Sequence, residues 1–187
     1  MVLVTVLVLC GLLLLWIFYA FNRFVRMRHR VREAFSGVDV QLRRRHDLVP
    51  NLVATVGAYA RHEEQALSLV TAARTQAIGA EGVEDRAEAE AGLVNGLGRL
   101  LLLVEQYPEL KADEGFRRLQ DQLVEIEDDL QYARRYYNAT VRELNIRIEQ
   151  VPSNVVAGLF GMRAEPYFEV DAVEVRAVPG VSLDEEG

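Results

Sequence analysis

The stretch QLRRRHDLVPN at residues 41–51 crowds several side chains that could do chemistry into three helical turns. Arg44, Arg45 and His46 offer donors to an anion, and Asp47 and Asn51 add a carboxylate and an amide, so the set could hold an acidic peptide or a headgroup. A structural reading competes with that one. At 100° per residue, Arg45 and His46 fall on the two edges of an apolar stripe. There Arg45 would be a snorkelling stem and His46 a hydrogen-bonded imidazole beside Pro50, which has removed one backbone bond. Arg44 and Asn51 point away from the stripe. Asp39, Arg43 and Asp47 follow at i, i+4, a ladder of charges that steadies an exposed helix by only ~0.2–0.5 kcal/mol per pair.

Catalytic patterns elsewhere are incomplete. His62-Glu63-Glu64-Gln65-Ala66 opens like the zinc-peptidase helix, but Ala66 stands where the second histidine ligand is needed. None of His29, His46 and His62 has a carboxylate three residues before it, as the Glu-x-x-His sites of metal-binding bundles require. Glu125, Glu127, Asp128 and Asp129 read as a solvated acidic face beside Leu123, Ile126 and Leu130. Gly92, Gly96 and Gly98 lie within an apolar helical pattern and read as packing positions, not as a phosphate loop. Asn138-Ala139-Thr140 has the form of a glycosylation acceptor but falls mid-helix. Ser36, Ser68, Ser153 and Ser182 are scattered, with no nucleophile-elbow sequence around any of them. No catalytic residue, metal ligand or cofactor is expected.

The elements that carry these residues are helices. Val31, Phe35, Val38, Leu42, Val49, Val53 and Val56 share one face at the helical period, and the stripe keeps its phase through Pro50. The spacing predicts helix from 22 to about 78, with Pro50 either kinking one helix or opening a second in the same direction with Asp47 as its cap. Gly79 and Gly82 punctuate, a second helix is expected from Val83 to Gln106, and Pro108 closes it. Phe116, Leu119, Leu123, Ile126, Leu130, Ala133, Tyr137, Thr140, Leu144, Ile148 and Val151 recur by threes and fours, the seam of a helix packed along another helix. Pro152 stops that helix, PSNVVAGLFG offers one more short helix, and an extended acidic tail follows. Such stripes bury one another, so the fold class is all-α: a transmembrane helix, then an elongated antiparallel bundle of three to four long helices.

An anchor precedes the bundle. Val2 to Phe21 carries no charge, and at ~1.5 Å per residue a helix of that length crosses the ~30 Å of bilayer hydrocarbon. No basic start or small-residue cleavage pair marks a removed leader, so the anchor is expected to stay. Cys10, the only cysteine, lacks the preceding small residues of a lipid-attachment site and is read as a lipid-facing thiol. The net charge of −7 hides a gradient: residues 22–45 carry +6 and residues 46–187 carry −13. Arg23, Arg26, Arg28 and Arg30 are candidate lipid-headgroup contacts at the basic end, and the acidic body speaks against nucleic acid as a partner. Because arginines follow the span and none precedes it, the amino terminus is expected outside and the bundle in the cytoplasm of a bacterial inner membrane. The expected divisions are an anchor at 1–21, a bundle at 22–163 and a tail at 164–187.

The block FNRFVRMRHRVREAFSGVDVQLRRRHDLVPNLVATVGAYARHE resembles the LemA family of bacterial membrane-anchored proteins, with Ser36, Asp39, Gln41, Arg45, Asp47, Pro50, Asn51, Tyr59, His62 and Glu63 at the family's positions. EQYPELKA, the stretch with Ala133, Arg134, Tyr137 and Asn138, PSN at 152–154 and PYF at 166–168 match as well. Gly115 departs from the polar residue usual before Phe116, and VEIED lacks the Gly-Thr that often precedes its glutamate. The resemblance implies an amino-terminal span and a long-helix bundle, and it implies no activity. Some relatives look like lipoproteins or carry cleaved leaders. The expected function is therefore a non-enzymatic, membrane-anchored scaffold or adaptor with a protein partner or a second copy of itself. Two alternatives are a sensor that binds an anionic ligand or peptide near Pro50 through Arg44, Arg45, His46, Asp47 and Asn51, and a membrane organiser.

Overall fold

A computed structural model describes residues 1–169; of the acidic tail expected over 164–187, residues 170–187 lie outside the described residues. Six helices follow in order: α1 (Val2–Tyr59), α2 (Glu64–Gly79), α3 (Val83–Val104), α4 (Pro108–Ala112), α5 (Glu114–Glu149) and α6 (Ser153–Leu159). No strand occurs among the described residues. The fold class is as the periodicities require.

The span and the first bundle helix are one rod. α1 runs unbroken for 58 residues, about 87 Å, and passes through Pro50 without ending. Residues 2–15 of α1 are all exposed, with Cys10 among them, and their uncharged, apolar run fits a membrane span.

The first helix does not reach residue 78 as the sequence spacing predicted. It stops at Tyr59, the chain reverses over Ala60–Glu63, and α2 returns antiparallel: Leu67 lies against Gly57, and Arg74 reaches back to His46. No glycine or proline marks this turn, so the local sequence gives no stop signal. Tertiary burial decides the matter. Val70 and Ala77 are buried, and with Leu67 and Ala73 they cover Val53 and Val56 of α1, which a straight continuation would leave in water.

α3 runs parallel to α1 and α5 antiparallel to it, as Asp39–Arg86, Arg45–Glu90, Tyr59–Asp113 and Phe35–Tyr137 show in succession. The Asp113 side chain caps α5 by accepting from the Phe116 N–H at 2.8 Å, which starts the long seam in phase. Gly96 packs against Val70, where a Cβ would stand 3.6 Å from its Cα. That is an ordinary contact distance, and Gly92 and Gly98 face open space, so close approach requires glycine at none of the three positions.

The core is in two parts. The distal part unites Leu48, Leu52, Val56, Val70, Leu93, Leu97, Leu100, Phe116 and Ile126; the membrane-proximal part unites Phe24, Val31, Val38, Leu42, Ala87, Leu130, Tyr137, Val141 and Leu144. α2 and most of α3 cover only the distal half. The proximal half, built on α1 and α5, is closed by the extended segment 162–169, whose Phe168 is buried. Asn138 holds that segment by donating to the Phe168 carbonyl and accepting from its N–H, and Asn145 does the same at Glu165. The Tyr137 hydroxyl donates to the Pro166 carbonyl at 2.8 Å. The amide of the apparent glycosylation acceptor is thus a backbone clamp.

Candidate functional site

Between the two halves of the core lies a layer of charge. Arg45 and His46 sit on α1 between Leu42 and Leu48, Glu90 on α3 between Ala87 and Leu93, and Glu127 on α5 between Ile126 and Leu130. Glu90 is the hub. Its Oε2 accepts from Arg45 Nη2 at 2.5 Å, and its Oε1 meets His46 Nε2 at 2.6 Å. Arg45 Nη1 donates to Glu127 Oε1 at 2.6 Å, so one guanidinium bridges α3 and α5. Arg45 and Glu90 are each 1% exposed, which places full charges where solvation is lost unless partners replace it, and the His46 imidazole beside them is buried as well. Within this layer Arg45 Nε is left without a partner, as is Asn154 Oδ1 at the foot of the bundle.

Pro50 completes this layer. A proline has no N–H to give the carbonyl four residues earlier, and in α1 that carbonyl belongs to His46. Arg74 Nε of α2 donates to it at 2.6 Å. The proline that keeps its place inside the helix therefore creates the acceptor by which α2 is fastened, and residues 45 and 46 together hold all three neighbouring helices.

Electrostatics around the layer follow from burial. Burial, first, and the nearby Arg45 charge push the Arg134 guanidinium of α5 down from its ordinary value, while Glu127 pulls it back up. Arg134 also stacks over the Phe168 ring at 5.4 Å. Burial raises the Tyr137 phenol to about 12, with Glu165 adding to it.

The structure separates the five candidate residues of the knot. Arg45 and His46 turn inward and are paired. Arg44 is exposed and leaves the apolar stripe, but it reaches α5, donating to Asp129 at 3.0 Å and standing 3.6 Å from Glu125. Part of the expected acidic face is thereby engaged by α1. Arg43 closes on Asp39 at 2.8 Å, and Asp39 also takes Arg86 of α3 at 2.7 Å. Asp47 lines an open cleft of about 350 Å³ between α1, α2 and α3, with Arg43, His46, Ile78 and Arg86 around it. Asn51 is exposed. Arg23, Arg26, Arg28 and Arg30 are all exposed at the foot of the bundle, with Arg28 3.9 Å from Glu165.

Sequence reasoning missed Glu90. It hides in EDRAEAEAG, which reads as a solvated acidic run, yet it shares the apolar face of Leu93 and Leu97, at i+3 and i+7. A lone acid in phase with a buried stripe was the available signal. Chemically the set is a lock: each charged group faces an opposite one or a carbonyl. Among the described residues no group of three or more His, Cys, Asp or Glu side chains could hold a metal ion.

The LemA family model matches residues 34–183. Two magnetosome proteins of Paramagnetospirillum magneticum strain AMB-1, MamQ 1 and MamQ 2, are each 28% identical over 175 residues, covering 80% of this chain and 64% of theirs. The magnetosome protein MamQ of Magnetospirillum gryphiswaldense is 26% identical over 174 residues, covering 79% of this chain and 64% of its own. The chain thus spans a little under two thirds of the length of these relatives.

Proposed function

The chain belongs to the LemA family, and on that premise we propose that it is a non-enzymatic, single-pass scaffold or adaptor that holds a helical rod at a bacterial inner membrane and presents its outer faces to a protein partner. The observation that carries this reading is the closure of the polar layer. Arg45 and His46, the residues best suited to chemistry, are engaged by Glu90, Glu127 and the joint with α2, which leaves Arg45 wholly enclosed and His46 only one edge toward the cleft. The relatives are named for the magnetosome, and what we take from them is limited to a bacterial, membrane-associated role.

In this reading residues 1–21 are the anchor and 22–163 the bundle, and the 164–187 segment begins by closing that bundle through Glu165 to Phe168. The bundle lies in the cytoplasm, because Arg23, Arg26, Arg28 and Arg30 follow the span and resist translocation. The partner surface is the outward side of α1 around Asn51 and Arg44, free of the buried layer. The experiment is photocrosslinking in native membranes from Asn51. One recurring protein, with capture unchanged by Glu90→Gln in folded protein, supports an adaptor; catalytic turnover in a broad hydrolase and transferase screen, abolished by changing His46, overturns it.

The cleft beside His46 favours a second reading. Arg43 and Arg86 flank it, so an anionic ligand there would compete with Asp39 for these two guanidiniums and act on the joint as a sensor. Changing Arg43 and Arg86 to alanine would then alter partner capture without loss of helicity, whereas unchanged capture removes the sensor.

A further inference from the structure

α6 turns the chain at the foot of the bundle, and it is amphipathic in the wrong sense for water. Val156 and Ala157 are buried with Ala20 and Phe24 of α1, and the Ser153 hydroxyl shares its one proton between the Arg147 and Gln150 carbonyls, each 2.8 Å away, which ties the helix to the end of α5. The opposite face is apolar too. Val155 and Leu159 stand one turn apart on it and are 69 and 71% exposed; Val151, in the turn before α6, and Phe160, at its carboxyl end, extend the patch at 74 and 47%.

The position of this patch decides what covers it. The Phe160 ring lies 4.6 Å from the ring of Phe21, the residue that ends the uncharged run of α1. From Val2 to Phe21 the span measures about 30 Å, so Phe21 stands where hydrocarbon gives way to headgroups. Trp16 and Ile17, one turn deeper, are half-buried against the same cluster as α6. On another face of α1, Tyr19, Arg23, Arg26 and Arg30 run from this level upward beside Glu143 of α5, with the aromatic and basic residues typical of a membrane boundary. The patch is continuous with the lipid-facing surface of the anchor.

We propose that α6 is a second membrane contact, an interfacial helix whose Val151, Val155, Leu159 and Phe160 face rests at the boundary between headgroups and acyl chains beside the span. A single span leaves a rod free to swivel and tilt. A second contact on one side fixes which face of the bundle looks along the membrane and which looks away, and so orients the α1 surface at Asn51. The inference rests on the anchored reading given above.

The experiment places single spin labels on the full chain in phospholipid vesicles, in a Cys10→Ala background, at Val155→Cys and Leu159→Cys. Leu9→Cys in the span and Leu102→Cys, exposed on α3 in the distal half, are the controls. The expected result is that labels at 155 and 159 collide readily with oxygen and poorly with a water-soluble nickel chelate, at a depth shallower than the label at Leu9, while the label at Leu102 sees nickel freely. Nickel access at 155 and 159 equal to that at Leu102 overturns the proposal and leaves the anchor intact. Shielding from both reagents with spin–spin broadening shows a second copy of the chain on the patch and also overturns it. Free nickel access at Leu9 removes the anchored reading and this inference together.

Discussion

Glu90→Gln isolates the charge of the hub with almost no change of shape. In the native layer the Glu90 carboxylate serves Arg45 at 2.5 Å and His46 at 2.6 Å, while Arg45 is 1% exposed. Removing one partner of a buried ion pair costs about 3–5 kcal/mol because the other charge stays in the interior unmatched. Here Arg45 keeps Glu127 at 2.6 Å, whose side chain is 34% exposed, so the lower end of that range applies, about 3 kcal/mol. For a chain of this size that is a fall in melting temperature of about 6–12 °C. The triple change Arg45→Met, His46→Phe, Glu90→Leu removes the fully buried polar groups together, leaves the 34% exposed Glu127 to solvent, and is expected to stay within about 1.5 kcal/mol of the wild type, since buried ion networks are often replaceable by packed apolar groups. Thermal and urea unfolding followed by far-ultraviolet circular dichroism, on the full chain in nanodiscs, measures both. A Glu90→Gln midpoint within 2 °C of wild type would refute the buried-charge reasoning. A triple variant no more stable than Glu90→Gln would refute it from the other side.

Three further outcomes follow from the same geometry. Arg74→Ala should cost about 1–3 kcal/mol by stranding the His46 carbonyl, and the loss should largely vanish in a Pro50→Ala background, where a restored N–H bonds that carbonyl; an equal loss in both backgrounds would break the link between proline and arginine. Arg44→Ala, whose partners Glu125 and Asp129 are as exposed as it is, should change stability by less than about 1 kcal/mol in the same unfolding assay, although it neighbours Arg45. The Tyr137 phenol is raised to about 12 by burial, so the fold favours the protonated form: its contribution is complete below pH 10 and is lost as pH rises toward 12, by roughly 2–3 kcal/mol, and Tyr137→Phe should flatten that alkaline slope in pH-dependent unfolding.

Much of this fold is legible in the sequence because helices repeat their burial. The stripe Val31, Val38, Leu42, Val49 and Val56 is buried as its spacing requires, and the seam Phe116, Leu123, Ile126, Leu130, Tyr137 and Leu144 packs along its length. The reversal at Ala60–Glu63 was not legible, since Arg61, His62 and Glu63 favour no turn and the break is made by what Val70 and Ala77 bury. The knot was legible as a joint around Pro50, but its hub was not. Partners for Arg45 come from residues 45 and 82 positions away, and periodicity within one helix says nothing about which acid on another helix arrives at that level. Arg44 was misleading in the same way: it does leave the stripe, yet α5 is there to meet it.

The central claim is that the polar layer joins helices and that the partner is met elsewhere, and capture from Asn51 in cells carrying the Arg45→Met, His46→Phe, Glu90→Leu variant tests it most directly. If the layer is a joint, the folded variant captures the same protein from native membranes as the wild-type chain. A variant that is equally helical and equally anchored but captures nothing would contradict the account and make the layer itself the working site.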